Sequence, residues 1–137
     1  MTSGSWVTTS SASYDQWGRP LTSTDALGNT STLSYSHTTG GLVTSSSSTT
    51  PDPDGAGSLT PLTTTVSFDT RFATPVKTVE PGGQTTEATL DGLGRVTAVW
   101  QPGRAKTDSA SSKFSYTISQ TAPSSVKTPP WWWPLPA

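Results

Sequence analysis

Two stretches of this chain repeat one frame, and that repeat constrains the fold more than any single residue. Leu90-Asp91-Gly92-Leu93-Gly94-Arg95-Val96-Thr97-Ala98-Val99-Trp100 reads as a tight turn running into a strand. Tyr14-Asp15-Gln16-Trp17-Gly18-Arg19-Pro20-Leu21 echoes it. The shared frame is an aromatic or apolar residue, Asp, two variable residues, Gly and Arg. Asp favours a turn because its side chain bonds back to the local backbone, and Gly accepts a positive φ without a steric penalty. A repeated unit takes precedence over isolated motifs, because such units are completed by their neighbours.

Composition narrows what the repeat can build. The 137 residues fit one domain. Only 30% are hydrophobic and 12% charged, with a formal net charge of −1. Disordered chains usually combine low hydrophobicity with high net charge, and that charge is missing here. Ser and Thr supply the balance, and Thr suits a pleated, half-buried surface. The expectation is thin β-structure with a weak core. Nucleic acid is excluded as a partner, since phosphate binding needs clustered Lys and Arg and the eight basic residues are scattered. With no cysteine, a disulfide framework and Cys-ligated metal are excluded. The first residues have neither a basic region nor an apolar run, so they do not read as a signal peptide. No stretch approaches the roughly 20 apolar residues of a spanning helix.

Along the chain, strands are expected at residues 10–14, 21–24 and 30–35, separated by turns at 15–18 and 25–29. The Asp25-Ala26-Leu27-Gly28-Asn29 turn has the same chemistry as the first. Further strands are expected at 63–68, 76–80, 85–90, 96–100 and 114–119, the last with Tyr116 and Ile118 on one face. No window shows the apolar spacing of a helix. The chain therefore divides into an N-terminal extension (1–9), first repeat hairpins (10–43), a flexible Ser/Gly/Pro-rich loop (44–61), further repeat hairpins (62–119) and a disordered Pro/Trp-rich tail (120–137). The fold class is all-β, an antiparallel meander of consecutive hairpins forming a twisted open sheet.

Register follows from the apolar pattern, because a one-residue slip exchanges the two faces. Placing Leu90 opposite Val96 aligns Ala88 with Ala98 and Thr86 with Trp100, giving one apolar face. A type I turn ending in Gly94 at positive φ, with a bulge, makes that register. In the first copy the partner of Tyr14 is Pro20, which cannot donate to a ladder and so belongs at an edge or a strand start.

On these residues the chain resembles the RHS/YD-repeat family, with an actinobacterial flavour. The match is carried by Tyr14-Asp15-Gln16-Trp17-Gly18-Arg19, by Thr24-Asp25-Ala26-Leu27-Gly28-Asn29-Thr30, and by Leu90-Asp91-Gly92-Leu93-Gly94-Arg95, where Leu90 stands for the Tyr. Phe68-Asp69 with Glu80-Pro81-Gly82-Gly83 is a degenerate third copy. The resemblance implies a β-ribbon of hairpins that spirals into a hollow shell around a C-terminal toxin, as in toxin complexes, or into the related teneurin barrel. It implies an extracellular or cell-surface setting. Tyr14, Asp15, Gly18, Arg19, Asp25, Gly28, Asn29, Leu90, Asp91, Gly94, Arg95 and Trp100 would then be structural repeat residues. The chain is too short to close a shell alone. It would be a slice of a larger wall, with other repeats pairing at its open edges and a toxin or effector as cargo. Self-association is expected from the same edges.

The remaining motifs have plainer readings. Asp52-Pro53-Asp54-Gly55 superficially matches a self-cleavage site of the family, but lies mid-chain and reads as an acidic turn. His37 is the only histidine and lacks partners for a triad or zinc. Asp15, Asp25 and Asp91 each open a turn, and capping it explains them without a metal. No catalytic residue, cofactor or metal is expected. Trp131-Trp132-Trp133 is the most apolar patch and the candidate contact for a ligand or partner. Trp17 and Trp100 are expected to pack on the sheet. Other readings stay open at this point: an adhesion or carbohydrate-binding β-module using the Trp cluster, a hydrolase using His37 and a Ser, and a truncated, non-functional gene fragment.

Overall fold

The computed structural model describes residues 8–52 and 60–128. It is all-β. Nine strands form one antiparallel sheet in strict chain order: β1 (Ser10–Tyr14), β2 (Pro20–Asp25), β3 (Thr30–His37), β4 (Val43–Thr49), β5 (Thr63–Asp69), β6 (Thr74–Val79), β7 (Thr85–Leu90), β8 (Val96–Trp100) and β9 (Ser112–Lys113). A separate two-stranded sheet joins β10 (Ser115–Thr117) to β11 (Ser125–Lys127). The nine-stranded sheet is not closed into a barrel: β1 is one edge and β9 the other.

The turns explain the strict order, since each hairpin closes locally. In four of them the same pair of backbone bonds recurs. Asp15 N–H donates to Arg19 O and Gly18 N–H to Asp15 O; the same pattern joins Asp25 with Asn29, Glu80 with Gln84, and Asp91 with Arg95. Thr38 and Leu42 repeat it a fifth time. Gly18, Gly28, Gly41, Gly83 and Gly94 all have φ between 76° and 86° in these turns. Ala73, in the longer Asp69 turn, takes the same left-handed region at φ 51° although it has a Cβ.

Three expectations are corrected. The loop expected over 44–61 begins later, because residues 44–49 belong to β4, and Ser45–Thr49 pair on both sides. A serine run looks like a linker when read alone. Here each serine is held by a central ladder, and Ser47 Oγ meets Thr65 Oγ1 at 2.8 Å. The tail expected to be disordered over 120–137 contains β11, in which Val126 stands opposite Tyr116. The expected 114–119 strand is cut down to β10, residues 115–117, and Ile118 lies outside it, 66% exposed.

The register is corrected as well. Leu90 does oppose Val96, and Tyr14 does oppose Pro20, the first residue of β2. One residue further on, however, the ladder slips, so that Ala98 faces Thr89, Val99 faces Ala88 and Trp100 faces Glu87. Leu90, Ala98 and Trp100 therefore do not share a face. The slip is systematic. The β1–β2, β3–β4, β5–β6 and β7–β8 pairs each carry one beside the turn, while the β2–β3, β4–β5 and β6–β7 pairs run unshifted. In a meander the shifted pairs all turn at one end of the sheet. A bulge there re-aims side chains next to the turn.

Paired residues project to the same side, so the ladder defines two faces. From β1 to β5 one face carries only hydroxyls: Ser11 and Ser13, Thr22 and Thr24, then Thr30, Thr32, Ser34 and Ser36, then Ser45, Ser47 and Thr49, then Thr63, Thr65 and Ser67. Many bond across strands, as Ser13 to Thr22 at 2.6 Å and Thr49 to Thr63 at 2.8 Å. The opposite face carries Leu33, Tyr35, Val66, Phe68, Ala88, Leu90 and Val99. Among the described residues no second layer covers either face, and Ala98 is the only buried apolar one.

Candidate functional site

The chemistry of the chain is concentrated in a row of turns along the bulged end of the sheet. The row is built from the Asp-x-x-Gly-Arg frame. Asp15 Oδ1 accepts the N–H groups of Trp17 and Arg19, both at 2.9 Å, while Oδ2 accepts Arg19 Nε at 2.6 Å. Asp91 does the same with Leu93 and Arg95 N–H at 2.9 and 3.0 Å and Arg95 Nε at 2.7 Å. Two carboxylate oxygens thus fix the backbone of the turn and aim the guanidinium. Asp69 reaches Arg71 in its longer turn, with Arg71 N–H at 2.9 Å and Nη2 at 2.9 Å. At the far end of the sheet Asp25 uses the same geometry on Leu27 and Asn29, with Asn29 Nδ2 in place of the guanidinium.

These bonds set the ionisation of the four carboxyls. For Asp15, partial burial pushes the value up, and the N–H and guanidinium of Arg19 with the N–H of Trp17 outweigh it, leaving it below the usual aspartate range. The side-chain bonds of Asn29, Arg71 and Arg95 lead the lowering at Asp25, Asp69 and Asp91. All four stay charged at neutral pH, which keeps the turn bonds at full strength.

The guanidiniums then reach across to tyrosines of later strands, Tyr35 in β3 and Tyr116 in β10. Arg19 lies 4.8 Å from the Tyr35 ring centre and 4.5 Å from that of Trp17. Arg95 lies 4.3 Å from the Tyr116 ring centre. In both cases the tyrosine hydroxyl donates to the carbonyl of the residue after the arginine: Tyr35 to Pro20 at 3.1 Å, Tyr116 to Val96 at 2.8 Å. Extending the neighbouring ladders places Tyr35 opposite Arg19 and Tyr116 opposite Arg95. Turn, arginine and tyrosine form one clasp that ties a hairpin to the strand after it. By the same extension Leu90 occupies the tyrosine position of the third hairpin, opposite Thr74.

The other expected residues fall around this row. Gly94 sits against Phe72 of the neighbouring turn, and a Cβ built there would come within 2.8 Å of that ring. Gly18 and Gly28 have open space instead. Tyr14 is 62% exposed and Trp17 52% exposed. His37 ends β3 and meets Trp17 edge-on, with ring centres 5.0 Å apart. Trp100 packs at the other end, donating Nε1–H to Asp108 O at 3.0 Å. Trp131, Trp132 and Trp133 lie outside the described residues, as do residues 53–55 of the acidic turn motif. No group of three or more His, Cys, Asp or Glu residues that could hold a metal occurs among the described residues. No described helix is long and apolar enough to cross a membrane.

Sequence reasoning missed Tyr35 and Tyr116 as arginine partners. The signal was faint: each is an aromatic residue one strand beyond an Asp-x-x-Gly-Arg turn, at a distance along the chain that varies with the intervening loop. Neither a protein-family model nor a curated protein matches this chain.

Proposed function

We propose that this chain is a structural length of RHS/YD-repeat wall, which in a larger assembly lines a β-shell around a C-terminal toxin or effector. The observation that carries the reading is the cross-strand clasp. Each Asp-x-x-Gly-Arg hairpin is completed by a tyrosine from the chain that follows it, Tyr35 of β3 or Tyr116 of β10, so the unit makes sense only in series. The strict strand order supports it, because a sheet that grows hairpin by hairpin has no internal limit on its length. So does the uncovered apolar face, which leaves the sheet without a core of its own. On this reading the chain does no chemistry. Its partners are other repeats at its edges and the enclosed cargo, and its setting is extracellular or on the cell surface.

A graft tests it. Residues 63–100, which hold two hairpins, replace two consecutive hairpins in the wall of an RHS-repeat shell that protects its cargo from protease. The expected result is a closed shell with protected cargo, and loss of protection when the graft carries Arg95→Ala. Cargo digested in the parent graft at the rate of free cargo would contradict the reading.

A further inference from the structure

The two edges of the nine-stranded sheet are built differently. The β8 side is sealed by the chain that follows it. Ser111 N–H donates to Val99 O and Phe114 N–H to Thr97 O, both at 2.8 Å, and Tyr116 closes on Val96 O. Gln101 N–H is taken by Ser111 Oγ at 3.0 Å. The strand left outermost, β9, has two residues, one of them Lys113. Short length and a lysine are the usual protections of an edge against pairing. The β1 side has neither. All five residues of Ser10-Ser11-Ala12-Ser13-Tyr14 are exposed, none is charged and none is proline.

We infer that β1 is a homodimerisation edge, and that two copies of this chain pair antiparallel through it about a two-fold axis at Ala12. Three observations select a second copy as the occupant. First, the strand is self-complementary about Ala12. Ser11 then stands opposite Ser13 of the partner copy, and Tyr14 opposite Ser10. This carries the hydroxyl pairing of Ser13 with Thr22 onward across the axis, and each face continues unbroken into the second sheet. Second, the edge bears no charge that would select a charged partner or repel its own copy. Third, the opposite edge ends in the two-residue β9 with its lysine, which disfavours head-to-tail addition of further copies of this chain. One edge long enough to pair gives a closed pair, whereas two would give a filament.

The contact is five residues long, well short of the roughly 1,000 Å² typical of stable interfaces, so the pair forms only as concentration rises. This inference does not depend on the shell reading. Cargo protection in the graft and self-association of this chain are measured separately.

The axis at Ala12 gives a charge-swap test on the full chain. Ala12→Lys places two lysines opposite each other in the dimer, and Ala12→Asp places two aspartates there; like charges directly opposite destabilise a strand pair. Sedimentation velocity over a concentration series should show the wild type rising to a dimer and stopping. Each variant alone should associate roughly fivefold more weakly. An equimolar mixture of the two should recover association at least equal to the wild type, as a heterodimer. Ala12→Ser, which adds no charge, should behave as the wild type, and far-ultraviolet circular dichroism should be the same for all. Wild type that stays monomeric throughout, species larger than the dimer, variants that associate undiminished, or a mixture that recovers nothing would each overturn the inference.

Discussion

The hairpin at Asp15 and the hairpin at Asp91 have the same turn and different surroundings. Both carboxylates take two backbone N–H groups and an arginine Nε, and both arginines stack on a tyrosine one strand away. Yet β1 is exposed at every position, while all of β7 and β8 is at least half-buried and Ala98 is buried. The Asp91 turn also has Phe72 seated on Gly94, where the Asp15 turn has open space at Gly18. Local chemistry therefore makes the hairpin, and the neighbouring strands decide what it contributes to stability. A hairpin alone is marginal in water, and this sheet gains from its seventh and eighth strands what its first cannot supply.

Acid should act on both hairpins at once and have the largest effect. Asp15, Asp25, Asp69 and Asp91 are all held below the ordinary aspartate value. A carboxyl lowered in the folded state contributes stability that is fully present above its unfolded value, about 3.9, and is lost as pH falls through the lower folded value. Urea midpoints should be level from about pH 7 to pH 5 and drop steeply below about pH 4. A decline that starts near pH 6 would mean other groups control the sheet.

Glycine substitution should separate the two turns. Gly18 and Gly94 have φ of 77° and 79°, so an alanine at either pays for the left-handed backbone, about 1–2 kcal/mol. At Gly94 the new Cβ also meets the Phe72 side chain, two ring atoms at 2.8 Å and its Cβ at 3.3 Å. Gly94→Ala should therefore cost about 2–4 kcal/mol, and Gly18→Ala about half that, by chemical denaturation. Equal costs would show that Phe72 moves aside freely.

Arginine tests the clasp. Lysine keeps the charge and loses both the Nε bond and the planar stack. Arg95→Lys should lower stability by about 1 kcal/mol. Arg19→Lys should lower it less, because unfolding of the exposed β1 hairpin contributes less to the whole. A smaller step comes from the hydroxyl alone. Tyr116→Phe removes a 2.8 Å bond to Val96 O and should cost about 0.5–1 kcal/mol, and Tyr35→Phe, whose bond is 3.1 Å, somewhat less. If Tyr35→Phe proves the costlier, the ranking of the two hairpins is wrong.

The turns were readable from residues alone. Asp followed three residues later by Gly has one economical conformation, and Gly94 at positive φ with Leu90 opposite Val96 follows from it. The slip beyond the turn was not readable. Whether the extra residue is absorbed at Thr97 depends on what each strand meets on its other side, which no single hairpin shows. The serines of β4 were misread for a related reason. Their preference for strand is weak in isolation, and it is the ladders with β3 and β5 on either side that hold them, with Ser47 also bonded to Thr65. The tyrosines that complete the arginine clasps lie one strand on, at loop-dependent separations, so no fixed spacing marks them.

Amide hydrogen exchange on the monomer, read residue by residue, tests most directly whether this is a single open sheet whose stability comes from strand neighbours. In an open meander, protection should rise from β1, the bare edge, through the interior strands to β7 and β8. Amides of Ser10–Tyr14 should exchange at least tenfold faster than those of Val96–Trp100 at low protein concentration. Equal protection of the two strands would contradict the account, since it would require a covered β1 and a sheet closed on itself or packed under a second layer.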